Sequence, residues 1–420
     1  MRGRRVVVTG VGIKTAAGND VDTLWKNLLA GTTTARRLPA EKGWAPDADT
    51  GCLVPAFDTD PYASARDALR MDRCSLLGLS AATDAVLDAG GMRVAPERRA
   101  VVVGTAHGGA QSQEQAHAAR PDRVAGAPKA LHIPLSMFNA SAAWISMKHD
   151  IKGPSLCVTT ACASGTQAVG EAFRMVKYGI ADTALAGGNE AAITPLNLLA
   201  YLRSGSLSPS GEGIERTPCP FDRRRNGFVM GEGAAFLMLE EMEQATARGA
   251  RILCEVTGYG CTSDAFHISA PEGSGQGPLR AMSQALAEAG LAAADVVHVN
   301  AHGTGTRKND EVESRSLADM FGDFRIPVTS TKGTTGHLMG AAGALEAAIA
   351  ALSVERCLIP PTAHFSRPDD DCRIDVVHDT PRQLAPGAVL SNFYGFGGHN
   401  AAICLVPYPH ATAPKSQRAA

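Results

Sequence analysis

The chain lacks a charge of one sign: 40 basic and 42 acidic side chains leave a formal net charge of −2. No block of like charge breaks that balance, so nothing offers nucleic acid the clustered Lys and Arg that phosphate binding needs. Long hydrophobic runs are missing too, none approaching the ~20 apolar residues that cross a bilayer. The basic cluster of Arg2, Arg4 and Arg5 precedes only Val6-Val7-Val8 before Thr9 and Gly10, which reads as a buried first strand. The ten cysteines (52, 74, 157, 162, 219, 254, 261, 357, 372, 404) form no CxxC pair and no zinc spacing. A chain of 420 residues buries enough surface to need no disulfides, so a reducing cytoplasm is the expected compartment. Gly10-x-Gly12 has neither the third glycine nor the acid of a dinucleotide fingerprint, and no nicotinamide cofactor is expected. Aromatic residues are scarce, at 5%, so a local cluster of them carries information.

What is present is punctuation and rhythm. Gly (44) and Pro (24) separate short Val-rich runs from Ala-rich stretches, the strand–helix alternation of an α/β protein with a covered sheet. Strands are expected at 5–9, 100–104, 155–160, 183–186, 234–240, 252–257, 296–300, 327–330 and 401–406, and helices at 22–30, 75–89, 166–178, 277–289, 311–321 and 343–354. The chain also repeats itself, weakly and in the same order. Val8-Thr9-Gly10-Val11-Gly12 recurs as Val256-Thr257-Gly258-Tyr259-Gly260, each read as a strand ending in a Gly turn. A helix ending at Gly90, a strand, then Ala106-His107-Gly108 is echoed by a helix ending at Gly290, a strand, then Ala301-His302-Gly303. Val158-Thr-Thr-Ala-Cys162 meets Val328-Thr-Ser-Thr-Lys332. Two copies of one α/β unit follow, and a pseudo-twofold axis would bring Cys162, His302 and Lys332 to one crevice at the strand ends.

Those residues carry chemistry. Cys162 lies in Thr159-Thr160-Ala161-Cys162-Ala163-Ser164-Gly165, where small neighbours permit a sharp strand-to-helix turn. An arbitrary cysteine is by default a small buried hydrophobe. One at a helix N-terminus feels the dipole that favours thiolate, and its turn aims free N–H groups at whatever the sulfur attacks. His302 sits in Asn300-Ala301-His302-Gly303-Thr304-Gly305-Thr306, and His337 follows Lys332-Gly333-Thr334-Thr335-Gly336. A single strand-end His is usually a structural hydrogen-bonder, whereas two beside a poised Cys point to a site. Neither shows the spacing of a metal pair, so no metal is expected. Asn392-Phe393-Tyr394-Gly395-Phe396-Gly397-Gly398-His399-Asn400 puts three aromatics among glycines. It reads as a mobile gate or pocket wall, the alternative being a tight turn anchored by a core Phe. A thiol, two imidazoles and an ammonium suit acyl transfer through a thioester, with Cys–His hydrolysis left open. Two neutral N–H donors aimed at one oxygen suit an enolate.

TACASG around Cys162, AHGTGT around His302, STKGTTGHLMGAAG around Lys332 and His337, and YGFGGHN around Phe396 resemble the β-ketoacyl-acyl carrier protein synthases over nearly the whole chain. The elongating type II enzymes, with two histidines, are the most similar. The resemblance implies a thiolase-like α/β fold of two duplicated halves, 1–253 and 254–420, in five αβαβα layers, and a dimer, either of identical chains or with a related ketosynthase-like subunit. It implies that Cys162 takes the acyl chain from 4'-phosphopantetheine on an acyl carrier protein, with the carbonyl oxygen held by the N–H groups of Cys162 and Phe396. His302 and His337 would hold the malonyl thioester during decarboxylation. Lys332 would order the histidines, with Glu346 and Asn400 in support. Thr304 and Thr306 would bind the pantetheine arm. Phe396, Gly397 and Gly398 would gate the thiol, moving with a loop around Asp264. Arg66 and Arg70, flanking Leu69, are candidates for docking an acidic carrier protein, with a solvated surface the equal alternative.

Departures from the family pattern place His107 and His132 where apolar residues usually line the distal acyl pocket, the second contributed across the dimer, and His399 replaces the usual Thr of the gate. Polar walls need partners, so a specialised synthase for a short, unsaturated or functionalised chain is expected, in a type II polyketide or other secondary pathway. An inactive chain-length-factor subunit normally lacks the Cys that is present here. A thiolase has a second catalytic Cys where this chain has Gly395-Phe396-Gly397-Gly398. A catalytic subunit obligatorily paired with a sister chain stays open.

Overall fold

The computed structural model describes residues 3–40, 43–118, 130–211, 213, 217–322 and 326–408; of the basic cluster at the start of the chain, Arg2 lies outside them. Ten principal strands follow the chain: β1 Val6–Thr15, β2 Arg99–Gly104, β3 Ser155–Val158, β4 Thr183–Glu190, β5 Gly233–Glu241, β6 Cys254–Ser263, β7 Val296–Asn300, β8 Pro327–Thr329, β9 Ala388–Gly395 and β10 His399–Val406. From the centre outward one half runs β1-β5-β4-β2-β3 and the other β6-β10-β9-β7-β8, with a two-residue strand, Asp375–Val376, at the far edge. Each strand of the first half thus has its counterpart five strands later. Parallel and antiparallel pairings match throughout. The halves join where Val6, Val7 and Val8 pair with Val256, Glu255 and Cys254.

The principal helices are α1 Arg73–Asp88, α2 Ala140–His149, α3 Ser164–Lys177, α4 Pro195–Arg203, α5 Gln276–Ala289, α6 Arg307–Phe321 and α7 Ala342–Arg356. Helices α1 and α2 cover the outer face of the first half-sheet, α5 packs on that of the second with α6 against it, and α3 and α7 lie together between the sheets. This is the five-layered arrangement the resemblance implies. Because both faces are covered, strand residues feed two cores in alternation. In β2, Ala100 and Val102 face the central core, and Val101 and Val103 face the outer one. Near-continuous apolar strands follow from that.

The repeated glycines do not end their strands, as the sequence suggested; β1 and β6 run on through them. A Cβ on Gly10 or Gly12 would lie 2.4 Å from the carbonyl oxygen of Ala85 or 2.0 Å from that of Ala81, on α1. Gly258 and Gly260 stand 2.0 and 1.8 Å from Ala285 and Ala281 oxygens on α5. The glycines let a helix backbone seat against the strand, once in each half. The aromatic segment is also mostly strand. Asn392 to Gly395 pair with Ala402 to His399, Phe393 is fully buried, and only Phe396, Gly397 and Gly398 form the tip, so a core Phe anchors the turn while Phe396 is left at the pocket wall. Among the described residues no helix is long and apolar enough to cross a membrane.

Candidate active site

Loops at the carboxyl ends of β2, β3, β7 and β8 converge. Cys162 occupies the corner between β3 and α3. Ala161 before it has φ +51°, a left-handed conformation costing about 1–2 kcal/mol in a residue with a Cβ. Ser164 braces the corner, its Oγ accepting from the Thr160 N–H (2.8 Å) and donating to the Ala161 carbonyl (2.6 Å). The backbone N–H groups of Cys162 and Phe396 favour the thiolate form of the sulfur. The helix-end position does not leave a thiolate at rest. Burial pushes the thiol up to about 12, against the pull of the Lys332 charge, because desolvating an anion outweighs a partial dipole.

His337 Nε2 lies 3.2 Å from Cys162 Sγ, and its Nδ1 accepts the Met339 N–H at 3.3 Å. That contact puts the neutral ring's proton on Nε2, facing the sulfur. His302 completes the group: the sulfur and one nitrogen of each imidazole lie within 4.8 Å of one another. Burial first, and then the Lys332 charge, hold both rings well below the ordinary imidazole value, so both are neutral. A buried ammonium so close disfavours a divalent cation between these groups, and their closeness suits a shared substrate oxygen instead.

Lys332 is fully buried. Its Nζ donates to Glu346 Oε1 (2.7 Å) and to the backbone carbonyl of His302, and it lies 4.4 Å from the centre of the Phe393 ring. It acts on the imidazoles through its field and through that carbonyl. Burial pushes Glu346 up to about 7, opposed by Lys332.

Three acids that the sequence reading passed over hold the loops in place. Glu313 accepts the N–H groups of His302 (2.8 Å) and Gly303 (2.7 Å). Asp310 accepts those of Phe221 (2.7 Å) and Gly305 (3.2 Å). Glu190 accepts those of Ala106 (2.8 Å) and Gly340 (3.1 Å). Asp310, Glu313 and Leu317 share the buried face of α6, and acids spaced i, i+3 on an otherwise apolar stripe were a usable signal. Glu190, at the end of a strand, gave none.

Cys162, His302 and His337 line a cleft of about 460 Å3 together with Thr304 and Thr306, and the exposed Arg307 and Lys308 stand at its opening. The two Thr hydroxyls are 2.9 Å apart. Phe396 is 36% exposed at the cleft wall. Its hairpin tip bonds to the neighbouring loop twice, Gly397 N–H to the Ile268 carbonyl (2.7 Å) and Asp264 N–H to the Gly398 carbonyl (2.9 Å). Asn400 Nδ2 ties the two, reaching Asp264 Oδ1 (2.7 Å) and the Gly398 carbonyl (3.2 Å). His399 stands with its ring beside Gly397.

The remaining candidates lie apart. His107 is outside the cleft lining, behind Tyr201. His132 opens a short helix, His132–Ser136, half-buried and outside the lining of its own chain's cleft, as a residue contributed across a dimer would be. Arg66 is exposed, Arg70 pairs loosely with Asp67 (3.8 Å), and Leu69 between them is 81% exposed.

Comparison with known proteins agrees with this geometry. Residues 3–245 match the family model of the β-ketoacyl synthase N-terminal domain, and residues 253–366 that of the C-terminal domain. The chain is 37% identical over 411 residues to a 3-oxoacyl-[acyl-carrier-protein] synthase 2 of Synechocystis, covering 96% of this chain and 98% of that one. A crystal structure of a β-ketoacyl synthase from Burkholderia phymatum superimposes with a TM-score of 0.90 at 31% identity, over 97% of this chain and 100% of that one. The ishigamide ketosynthase/chain length factor does so with a TM-score of 0.86 at 33% identity, over the same shares. The chain belongs to the β-ketoacyl synthase family.

Proposed function

We propose that this chain condenses an acyl group on Cys162 with malonyl-acyl carrier protein, releasing carbon dioxide and a β-ketoacyl carrier protein two carbons longer. The observation that carries it is the pair of neutral imidazoles gathered within 4.8 Å of a buried thiol.

In the first step the Cys162 sulfur attacks the acyl thioester. The oxyanion sits between the Cys162 and Phe396 N–H groups, and the pantetheine thiol leaves with the proton that Cys162 gives up. In the second, His302 and His337 donate to the malonyl thioester oxygen. The malonyl carboxylate departs as carbon dioxide and its electron pair becomes the enolate. The enolate carbon attacks the acyl-Cys162 carbonyl, and the released sulfur regains a proton from solvent. Neutral donors suit this role, since an imidazolium would pair with the malonyl carboxylate that must leave. Lys332 and Glu346 hold His302, and Asn400 with Asp264 holds the gate of Phe396, Gly397 and Gly398. Thr304 and Thr306 bond the amide-rich arm, Arg307 and Lys308 suit its phosphate, and Arg66, Leu69 and Arg70 form a basic and apolar patch fit for an acidic carrier protein. No resident cofactor is required, the cytoplasm is the fitting compartment, and residues 1–253 and 254–420 are the duplicated halves.

A partner chain is favoured by the edge of the sheet. Strand β3 leaves Leu156 45% exposed, beside Phe138 at 43% and Met147 at 65%, and an open apolar edge invites a second strand. A sister subunit of chain-length-factor type is the second reading, supported by the paired ketosynthase and chain length factor among the similar structures.

Intact-protein mass spectrometry with a panel of acyl carrier proteins tests the reading. An adduct lost in Cys162→Ala is expected, followed by malonyl-dependent carbon dioxide release. Free acid in place of a longer chain would show a hydrolase instead.

A further inference from the structure

Behind the cleft lies a second histidine site that the condensation does not use. His107 follows β2 as His302 follows β7. Each is succeeded by a glycine of positive φ, Gly108 at +55° and Gly303 at +36°, and each loop is held by a fully buried glutamate, Glu190 or Glu313. In the second half this position supplies an imidazole to the cleft. In the first half the imidazole reaches the cleft through another side chain: His107 Nε2 lies 3.1 Å from the hydroxyl of Tyr201, and Tyr201 lines the cleft with Cys162. Tyr201 comes from α4 and packs edge-on against Phe228 at 5.5 Å, with the Phe396 ring at 6.3 Å and Phe228 in turn on His337 at 5.2 Å. Its wall is therefore the wall of the acyl-Cys.

The hydrogen-bond roles follow from the far side of the ring. His107 Nδ1 stands 3.4 Å from Glu190 Oε2, an ion-pair distance without a formed hydrogen bond; the field of that carboxylate favours the proton of a neutral ring on Nδ1, leaving Nε2 to accept the phenol hydrogen. The phenol oxygen then keeps acceptor capacity for a ligand hydroxyl. When the ring is protonated, Nε2–H donates to that oxygen and the phenol hydrogen is free for a ligand carbonyl. Burial opposes the charged ring, but the Glu190 carboxylate outweighs it and raises His107 above the ordinary imidazole value. A saturated chain against this wall would meet none of that capacity, and sites built to hydrogen-bond a substrate oxygen reject analogues without it.

We propose that Tyr201, positioned by His107 and Glu190, is a specificity-determining residue that selects acyl chains carrying an oxygen, hydroxyl or keto, close to the thioester, over the saturated chain of equal length. The proposal rests on the ketosynthase reading above. It is tested by kcat/KM for acylation of Cys162 from 3-hydroxybutyryl-, acetoacetyl- and butyryl-carrier protein. The wild-type chain is expected to favour an oxygenated chain over butyryl by tenfold or more, and the better of the two names the oxygen. In Tyr201→Phe that ratio is expected to fall about tenfold. It should fall likewise in His107→Leu and be partly restored in His107→Gln, which keeps a polar group facing the phenol; a purely structural role would lower all rates together and leave the ratio intact. An unchanged ratio in Tyr201→Phe, or a wild-type preference for butyryl, overturns the proposal while leaving the ketosynthase reading standing. Absence of any Cys162 adduct overturns both.

Discussion

At the scale of single residues, the site is governed by what burial does to charge. Lys332 and Glu346 are each at most 1% exposed and face each other at 2.7 Å. Removing the ammonium leaves a carboxyl without its counter-ion, so Lys332→Met should lower stability by about 3 kcal/mol in urea unfolding and slow condensation by roughly a hundredfold or more. Glu313 gives a pH signature. Burial pushes its carboxyl up to about 8 from an ordinary 4.5. Below pH 4.5 it is protonated folded and unfolded alike; between 4.5 and 8 only the unfolded chain releases the proton, so stability falls as pH rises and levels off above 8. Relative to Glu313→Gln, the wild-type chain should lose on the order of 2–4 kcal/mol across that window, read as urea midpoints from pH 5 to 8. A wild-type chain that instead gains stability over Glu313→Gln as pH rises would show the carboxyl to be charged when folded. Cys162, His302, Lys332 and His337 were legible in the sequence because each breaks a local expectation, a reactive side chain set among Gly, Ala and Thr. Glu190 was not, because its partners Ala106 and Gly340 are 84 and 150 residues away and nothing local marks it.

At the scale of elements, the close approach of helix and strand is the sensitive feature. A Cβ on Gly260 would lie 1.8 Å from the Ala281 carbonyl oxygen, while one on Gly273 meets nothing within 4 Å. Gly260→Ala should therefore cost roughly 3 kcal/mol or more by pushing α5 off β6, and Gly273→Ala should stay within about 0.5 kcal/mol. Equal thermal shifts for the two would refute the packing argument. The six expected helices all exist, α5 through one apolar face and α7, whose residues 342–354 are all buried, through being enclosed on every side. Strand β9 was missed, since its Asn392-Phe393-Tyr394-Gly395 looks like loop chemistry until β10 is seen to pair with it. The glycines of β1 and β6 were misread for a related reason: a glycine admitting a helix looks the same in sequence as one making a turn. Only the recurrence of the pattern hinted at an architectural use.

At the scale of the molecule, the two half-sheets are joined by three residue pairs, with α3 and α7 packed together between them, and the site draws its thiol from one half and its imidazoles and ammonium from the other. The order of the repeat was readable; which strand stands at the open edge was not, because an edge strand resembles any other until its neighbours are counted. If β3 is a dimer seam, Leu156→Lys should convert the assembly to monomers in multi-angle light scattering, with circular dichroism retained. A monomeric wild-type chain would leave that apolar edge without a role. The order of the strands bears on how the chain is made. Strand β10 is the last of these ten to leave the ribosome, but it lies inside the sheet, between β6 and β9. Until residues 399–406 are made, the nascent chain carries two open edges that only its own final strand can fill. Such edges capture foreign strands. The topology thus sets a deadline for synthesis, and the unfinished chain needs a chaperone's cover more than the finished one.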